Sequence, residues 1–143
     1  MNNKTYPCLW FDGKAHEAAD YYCSIFPNSK ILNKTPFVAI YELEGSRYMN
    51  LNGGPEFKFN EAISIVVSCE NQKEVDYFWN KLSEGGEEGK SGWLKDKFGV
   101  SWQIVPEVLG ELMNDTEKAP KVMYAFMQMR KIIIEDLIIA SEK

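Results

Sequence analysis

The chain has 143 residues, of which 45% are hydrophobic and 13% aromatic, and this composition argues against disorder and for one folded domain. The formal net charge of −5 disfavours general binding to nucleic acid or to an anionic membrane surface, and no apolar run approaches the roughly 20 residues of a membrane span. The three cysteines lack a CxxC spacing, so neither a disulfide framework nor a zinc site is indicated. Because residues 1–7 lack the apolar region of a signal peptide, we expect a cytoplasmic protein.

The first half of the chain predicts a strand, a helix and a hairpin. Residues 8–11 read as a short strand, and 30–33 as another. Between them, apolar residues at helical spacing predict one buried helix face: Ala15, Ala18, Ala19, Tyr22 and Phe26. Strand formers on both sides of Gly45 predict a hairpin over 37–52. The glycine-rich segment 53–60 then reads as a linker.

The second half predicts the same order of elements. A β-branched run over 62–69 is typical of a strand, and a helix is predicted from about Gln72 to Leu82. The glycines of 85–89 indicate a loop. Residues 93–94 and 100–105 predict a second hairpin. Each half therefore reads β-α-β-β-β.

The halves also share a residue pattern. Residues 9–26 recur at 65–82 with an offset of 56. A duplicated unit cannot bury its apolar face alone, so we expect two copies to pack together with a cleft between them. The predicted fold is α+β: two tandem β-α-β-β-β modules (5–54 and 61–106) that form a curled sheet with a cup-shaped cleft, plus C-terminal helices (107–143), in a single domain over 1–143.

The C-terminal tail predicts three helices, over about 107–113, 120–129 and 135–140. On the middle helix Val122, Ala125, Phe126 and Met129 form a stripe that Met123 and Met127 flank. A helix that is apolar around much of its girth is usually buried, either in its own domain or against a partner subunit. We expect some of each, and therefore a homodimer.

The first strands of the two modules have one apolar face and one mixed face. Leu9 and Phe11 correspond to Ile65 and Val67, and we expect this face to lie under the helices. The opposite face is mixed: Tyr6, Cys8 and Trp10, with equivalents Ala62, Ser64 and Val66. A mixed face suits a partly wet ligand pocket. The alternative is that Tyr6 and Trp10 fill a second apolar layer.

Three segments carry a resemblance to a known family: LWFDGKAHEAADYYCSIFPNS (9–29), LNGGPEFKFNEAIS (51–64) and GGEEGKSGWLKDKFGVSWQIVP (85–106). The chain resembles the vicinal oxygen chelate superfamily, which includes glyoxalase I, bleomycin-resistance proteins and extradiol dioxygenases. Within it, the chain is similar to the PhnB-like group, often labelled 3-demethylubiquinone 3-methyltransferase. Neither Gly53-Gly54 nor Gly85-Gly86 lies between a strand and a helix, so no nucleotide-binding turn supports the methyltransferase label.

The resemblance also implies positions for a divalent metal. Members of the superfamily often hold it through His, Glu or Gln at four positions, which here correspond to Tyr6, Ala62, Gln103 and, by matching the hairpin turns, Met49. Catalytic divalent sites typically need about three protein ligands. Only Gln103 is a good donor, so we expect neither a metal nor another cofactor.

Four further features have a catalytic and a structural interpretation. His16 is expected at the surface, and Cys8 is expected to be small core filler rather than a nucleophile. Glu87-Glu88 is expected to be a solvated pair in a loop. Trp93 either forms a cross-strand pair with Trp102 or lines the cleft.

Together these observations predict a metal-free small-molecule binder of glyoxalase/bleomycin-resistance type, with its ligand in the cleft. The alternative is an enzyme of the same superfamily: a lyase or isomerase, or the methyltransferase of the family label. The sequence leaves open whether any turnover occurs. No nucleic-acid or membrane partner is expected. The candidate ligand-binding residues are Tyr6, Cys8, Trp10, Met49, Ser64, Trp93 and Gln103.

Overall fold

The computed structural model describes residues 4–143. The chain divides into two compact units, and the boundary between Phe59 and Asn60 lies within the predicted linker. Within residues 4–143, no helix is both long and apolar enough to span a membrane.

Unit 1 contains one four-stranded sheet and one helix. Its elements are β1 (Cys8–Phe11), α1 (Ala15–Ile25), β2 (Ser29–Lys34), β3 (Val38–Leu43) and β4 (Ser46–Asn52). The strand order is β1-β4-β3-β2. Strands β1 and β4 are parallel, and the other neighbours are antiparallel.

Unit 2 repeats this arrangement and adds helices. Its elements are β5 (Ile65–Cys69), α2 (Gln72–Ser83), β6 (Glu87–Glu88), β7 (Trp93–Lys95), β8 (Ser101–Pro106), α3 (Glu107–Met113), α4 (Ala119–Met127) and α5 (Ile134–Ser141). The strand order β5-β8-β7-β6, with β5 parallel to β8, matches that of unit 1. The predicted α+β fold with two β-α-β-β-β repeats is therefore confirmed. Strand β6 corrects the predicted loop, because Glu87 pairs with Lys95 at the sheet edge.

Both helices bury the predicted stripe. On α1 the buried residues are Ala15, Ala18, Ala19, Tyr22 and Ile25, followed by Phe26; on α2 they are Val75, Phe78, Trp79 and Leu82. Helix α2 has its own cap, because the Asn71 side chain accepts a hydrogen bond from the Glu74 backbone N–H. Helix α1 is capped from a strand instead: Asn52 Oδ1 accepts a hydrogen bond of 2.8 Å from the Ala15 N–H.

One face of each sheet packs against the helix of its unit. We call the opposite face the distal face. Leu9, Phe11 and Val67 are buried on the helix side, as predicted, whereas Ile65 is only half-buried. Trp102 is fully buried on the helix side and lies opposite Leu94, while Trp93 lies opposite Gln103. The predicted Trp93–Trp102 pair is therefore wrong, because successive residues of a strand point to opposite faces.

The tail forms a small core of its own. Val122, Ile132 and Leu137 are fully buried in it, with partly buried Leu109, Leu112, Met113, Phe126 and Met129 around them. The Gln72 side chain of α2 donates to the Ile132 carbonyl at 3.0 Å and accepts from the Ile134 N–H at 2.8 Å, and these bonds fasten the tail to α2. Met123 and Met127 remain exposed.

Candidate functional site

The distal face of unit 1 carries two rows of side chains, set by strand register. Cys8 lies opposite Met49 and Trp10 opposite Leu51. Strand β3 extends the rows, with Ile40 opposite Met49. Of the predicted ligand-binding residues, the structure thus brings Cys8, Met49 and Trp10 together on one surface that is mostly apolar.

Trp10 is held in place by the segment that follows β4. Its indole N–H donates a hydrogen bond of 2.9 Å to the Gly54 carbonyl, and its ring meets Phe57 edge-on at 4.9 Å between centroids. A Cβ on Gly53 would lie 2.4 Å from the ring, so only glycine permits this approach. The indole donor is therefore satisfied within unit 1, and only the half-buried ring remains for a ligand.

Cys8 is exposed, so the prediction of core filler is wrong. Its strand position on the distal face keeps it out from under helix α1. Partial burial of the sulfur nevertheless raises the pKa of the Cys8 thiol. Burial, with Glu74 and Glu107 nearby, raises the pKa of Cys69 to about 12. These thiols are protonated at neutral pH, which disfavours a thiolate nucleophile.

We expect Cys8 to be the first cysteine modified by a maleimide, but more slowly at pH 7 than free cysteine. Because its pKa is raised, the rate should still climb as pH passes the ordinary thiol value of about 8.5. Mass spectrometry over a pH series measures this, with Cys8→Ser as the control that removes the first adduct. Modification faster than free cysteine at pH 7 would contradict a raised pKa.

The distal face of unit 2 brings three predicted residues together. Gln103 lies opposite Val66 on one side and Trp93 on the other. The Gln103 side-chain amide donates a hydrogen bond of 3.0 Å to the Ser64 hydroxyl. Ser64, Trp93 and Gln103 therefore form one patch of hydroxyl, indole and amide.

A cavity of about 280 Å³ opens next to this patch. Its lining is Glu61, Glu87, Glu88, Gly89, Trp93, Leu94, Lys95 and Ser101. Lys95 Nζ lies 3.1 Å from a Glu61 carboxylate oxygen, and this hydrogen bond lowers the pKa of the Glu61 carboxyl. The Ser101 hydroxyl is buried and has no hydrogen-bond partner in the part of the chain that the structure describes. An unpartnered buried hydroxyl at a cavity is what a polar ligand atom can satisfy.

His16 and Tyr6 lie outside the four strands of unit 1, in α1 and just before β1 respectively. His16 is half-buried, and its Nε2 makes a solvent-exposed bond of 2.7 Å with the Thr35 carbonyl, which ties α1 to the segment before β3. Tyr6 is 38% exposed. Its ring centroid lies 5.6 Å from the Arg47 guanidinium carbon.

Sequence reasoning missed Arg47, Lys95 and Ser101 as site residues. Arg47 shares its strand face with Met49, and Ser101 shares its face with Gln103, because each pair is two residues apart. Extending the mixed-face pattern from the first strands to the last strands would have found Arg47 and Ser101. Lys95 required the register of the second hairpin.

The implied metal positions do not fit a divalent cation. Trp10 and Val66 are equivalent positions of the two modules. Trp10 lies opposite Leu51 and Val66 lies opposite Gln103, so the counterpart of Gln103 is Leu51, and the predicted Met49 is wrong. The first hairpin joins Leu43 to Ser46 through two residues, whereas the second has a five-residue loop. Leu51 offers no donor atom, so Gln103, whose amide nitrogen donates to Ser64, is the one good oxygen ligand among the four positions. Across residues 4–143, no cluster of three or more His, Cys, Asp or Glu side chains could hold a metal ion.

Comparisons with known proteins agree with this architecture. A family model described as 3-demethylubiquinone-9 3-methyltransferase matches residues 3–105, so the tail (107–143) lies beyond the match. A Bacillus cereus structure described as a 3-demethylubiquinone-9 3-methyltransferase, PhnB protein, is 32% identical with a TM-score of 0.66, and the match covers 73% of this chain and 99% of that one. No curated protein matches the sequence.

More distant structures share the fold. A protein from Pseudomonas aeruginosa is 20% identical with a TM-score of 0.63, over 74% of this chain and 98% of that one. The fosfomycin resistance protein FosX from Listeria monocytogenes, solved with Mn(II) and sulfate, is 12% identical with a TM-score of 0.62. The match covers 81% of this chain and 98% of that one. The chain therefore belongs to the PhnB-like family described as 3-demethylubiquinone-9 3-methyltransferase, and it shares its fold with FosX.

Proposed function

We propose that this protein binds a small, flat organic molecule without a metal ion, and that the Trp93 wall of the unit 2 cavity contacts it. The observation that carries the proposal is the buried Ser101 hydroxyl at this cavity, which has no hydrogen-bond partner within residues 4–143. Leaving such a group unsatisfied costs roughly 1–3 kcal/mol, and a ligand that bonds to it recovers part of that cost.

The size and lining of the cavity support a small ligand. Its volume of about 280 Å³ is near the lower end of the roughly 300–1,000 Å³ typical of small-molecule sites. Half-buried Trp93 offers a ring face for stacking, and Lys95 with Glu61 offers charged groups beside it. That the ligand also contacts Tyr6, Cys8, Trp10 and Met49 of the other module stays a prediction, as do homodimer formation and a cytoplasmic location.

The test uses the full-length protein after treatment with a chelator. We expect benzamide to bind, with NMR amide shifts in β7 and β8, and added Mn²⁺ or Zn²⁺ to leave its affinity unchanged. Trp93→Ala should weaken binding about tenfold, because an aromatic stack is worth roughly 1 kcal/mol or more. Phe37→Ala, which removes an aromatic side chain 69% exposed in unit 1, is the matched control and should bind normally. Shifts confined to other elements, or binding that requires a metal, would contradict the proposal.

Ser101→Ala separates a binding role from a structural one. Because the hydroxyl makes no hydrogen bond within residues 4–143, its removal should leave the free energy of unfolding unchanged or slightly raised. The same variant should bind benzamide several-fold more weakly. Urea denaturation and the NMR titration measure the two effects. A loss of stability with unchanged binding would show that the hydroxyl serves the fold instead.

An enzyme is the second candidate, since the family description names a methyltransferase. The described distal faces offer little for acid–base or nucleophilic chemistry: the pKa of Cys8 is raised, and His16 is bonded to a backbone carbonyl. A binder is therefore the better-supported proposal. Substrate turnover that Trp93→Ala abolishes would favour the enzyme.

A further inference from the structure

Arg47 is a cationic residue on the distal face of unit 1. It belongs to β4, at the same parity as Met49, and is half-buried. Its Nε atom is buried and unpartnered, and among the described residues the structure gives Arg47 neither a hydrogen bond nor an ion pair. A buried donor of a charged group costs more free energy when unsatisfied than a neutral one does. The side chain therefore has unused capacity to bind an acceptor.

The contact with Tyr6 orients this side chain. The guanidinium carbon lies 5.6 Å from the centre of the Tyr6 ring, which is within range of a cation–π interaction. Such a contact restrains the guanidinium plane and uses none of its N–H groups as donors. A planar fork of donors held in this way matches the oxygen geometry of a carboxylate or a phosphonate.

The neighbouring charges do not remove this capacity. Glu42 lies directly across from Arg47, but Lys30 lies across from Glu42 on its other side, so one carboxylate has two cationic neighbours on the same face. Lys30, Glu42 and Arg47 together carry a net positive charge, whereas the formal net charge of the chain is −5. Beside it, Met49 and Ile40 supply an apolar surface for the body of a ligand.

We infer that Arg47 and Tyr6 form a binding site for a small organic anion, with its charged oxygens on the Arg47 N–H edge and its apolar part on Met49 and Ile40. This site lies on unit 1 and does not depend on the proposed function of the Trp93 cavity. The shared chemistry of its ligands is a carboxylate, phosphonate or phosphate group on a small apolar body.

The test is an NMR titration of the full chain that follows the Nε–H signal of Arg47. The chain has two arginines, so Arg47→Lys assigns the signal and Arg130→Gln is the matched control. Phenylacetate and phenylphosphonate should shift the Arg47 signal and the β4 amides, and their relative affinities show which anion is preferred. Phenylacetamide, the neutral counterpart of phenylacetate, should bind at Arg47 at least about tenfold more weakly, a difference of 1.4 kcal/mol.

Variants of Arg47 and Glu42 test whether these two side chains determine the affinity for the anion. Arg47→Gln should weaken phenylacetate binding about tenfold or more and Arg47→Lys less, because lysine keeps the charge but loses the fork. Glu42→Gln should strengthen binding, since it removes the negative charge that lies across from Arg47. Equal binding of phenylacetamide, an Arg47→Gln variant with unchanged affinity, or weaker binding to Glu42→Gln would each overturn the inference. If benzamide failed to bind while phenylacetate still shifted Arg47, only the proposed function would fail.

Discussion

Replacing Asp96 by alanine is expected to lower the free energy of unfolding by about 3–5 kcal/mol. Asp96 is only 3% exposed, at the start of the β7–β8 hairpin loop. Its Oδ1 accepts the backbone N–H groups of Phe98 and Val100 at 2.8 and 3.1 Å, and its Oδ2 accepts the indole N–H of buried Trp102 at 2.9 Å. The substitution leaves three donors without their acceptor, which is costly because hydrogen bonds to a charged group are the strong ones.

Urea denaturation followed by circular dichroism measures this loss. Asp115→Ala is the matched control, because Asp115 Oδ1 also accepts two backbone N–H groups, of Glu117 and Lys118, but at an exposed site. We expect the control to lose less than about 1 kcal/mol, since water replaces the lost acceptor there. Equal losses for the two variants would show that burial of Asp96 is not the cause.

Replacing Asn50 by leucine is expected to cost about 2–3 kcal/mol, the second largest effect. Asn50 is fully buried on the helix side of β4. Its Oδ1 accepts the Tyr41 hydroxyl at 2.8 Å, and its Nδ2 donates to the Ala15 carbonyl at 3.1 Å. Leucine preserves the approximate shape but leaves a buried hydroxyl without its acceptor, so the stability of unit 1 should fall.

A double variant tests the physical reason. Tyr41→Phe together with Asn50→Leu removes both partners of the 2.8 Å bond, so its loss should be about 1 kcal/mol smaller than the sum of the single losses. Asn33→Ala, at an exposed position of β2, is the control and should change stability by less than about 0.5 kcal/mol. Purely additive losses would contradict a direct Tyr41–Asn50 bond.

The buried hydrogen bonds of Asp96 and Asn50 could not be predicted from the sequence. The segment Lys95-Asp96-Lys97 reads as a charged hairpin turn, yet Asp96 is buried. Nothing in the local pattern marks it, because its indole partner, Trp102, lies on the strand that follows the turn. Asn50 likewise stands in a strand-forming segment, and its partners lie 9 and 35 residues away in the chain.

The candidate site was predictable in part. The alternation of side chains along β1 placed Cys8 and Trp10 on the face opposite the helix, because strand alternation is local and needs no register. This alternation alone did not predict the contacts or the exposure of each side chain. Trp10 is held by Gly54 and Phe57 from beyond β4, and Cys8 is exposed. Arg47 is a candidate because its buried Nε has no hydrogen-bond partner in the part of the chain that the structure describes.

The amino-acid sequence by itself determined the repeated β-α-β-β-β order and the buried stripes of α1 and α2, since periods of 2 and 3.6 residues are written into neighbouring residues. The tertiary structure decided which residues meet across strands. The first hairpin turns through Glu44 and Gly45, both with positive φ, whereas the second needs a longer loop built around Asp96. With the longer loop, Gln103 lies opposite Trp93, and the position in unit 1 that corresponds to Gln103 is Leu51. Strand register therefore depends on loop geometry and on contacts between distant segments.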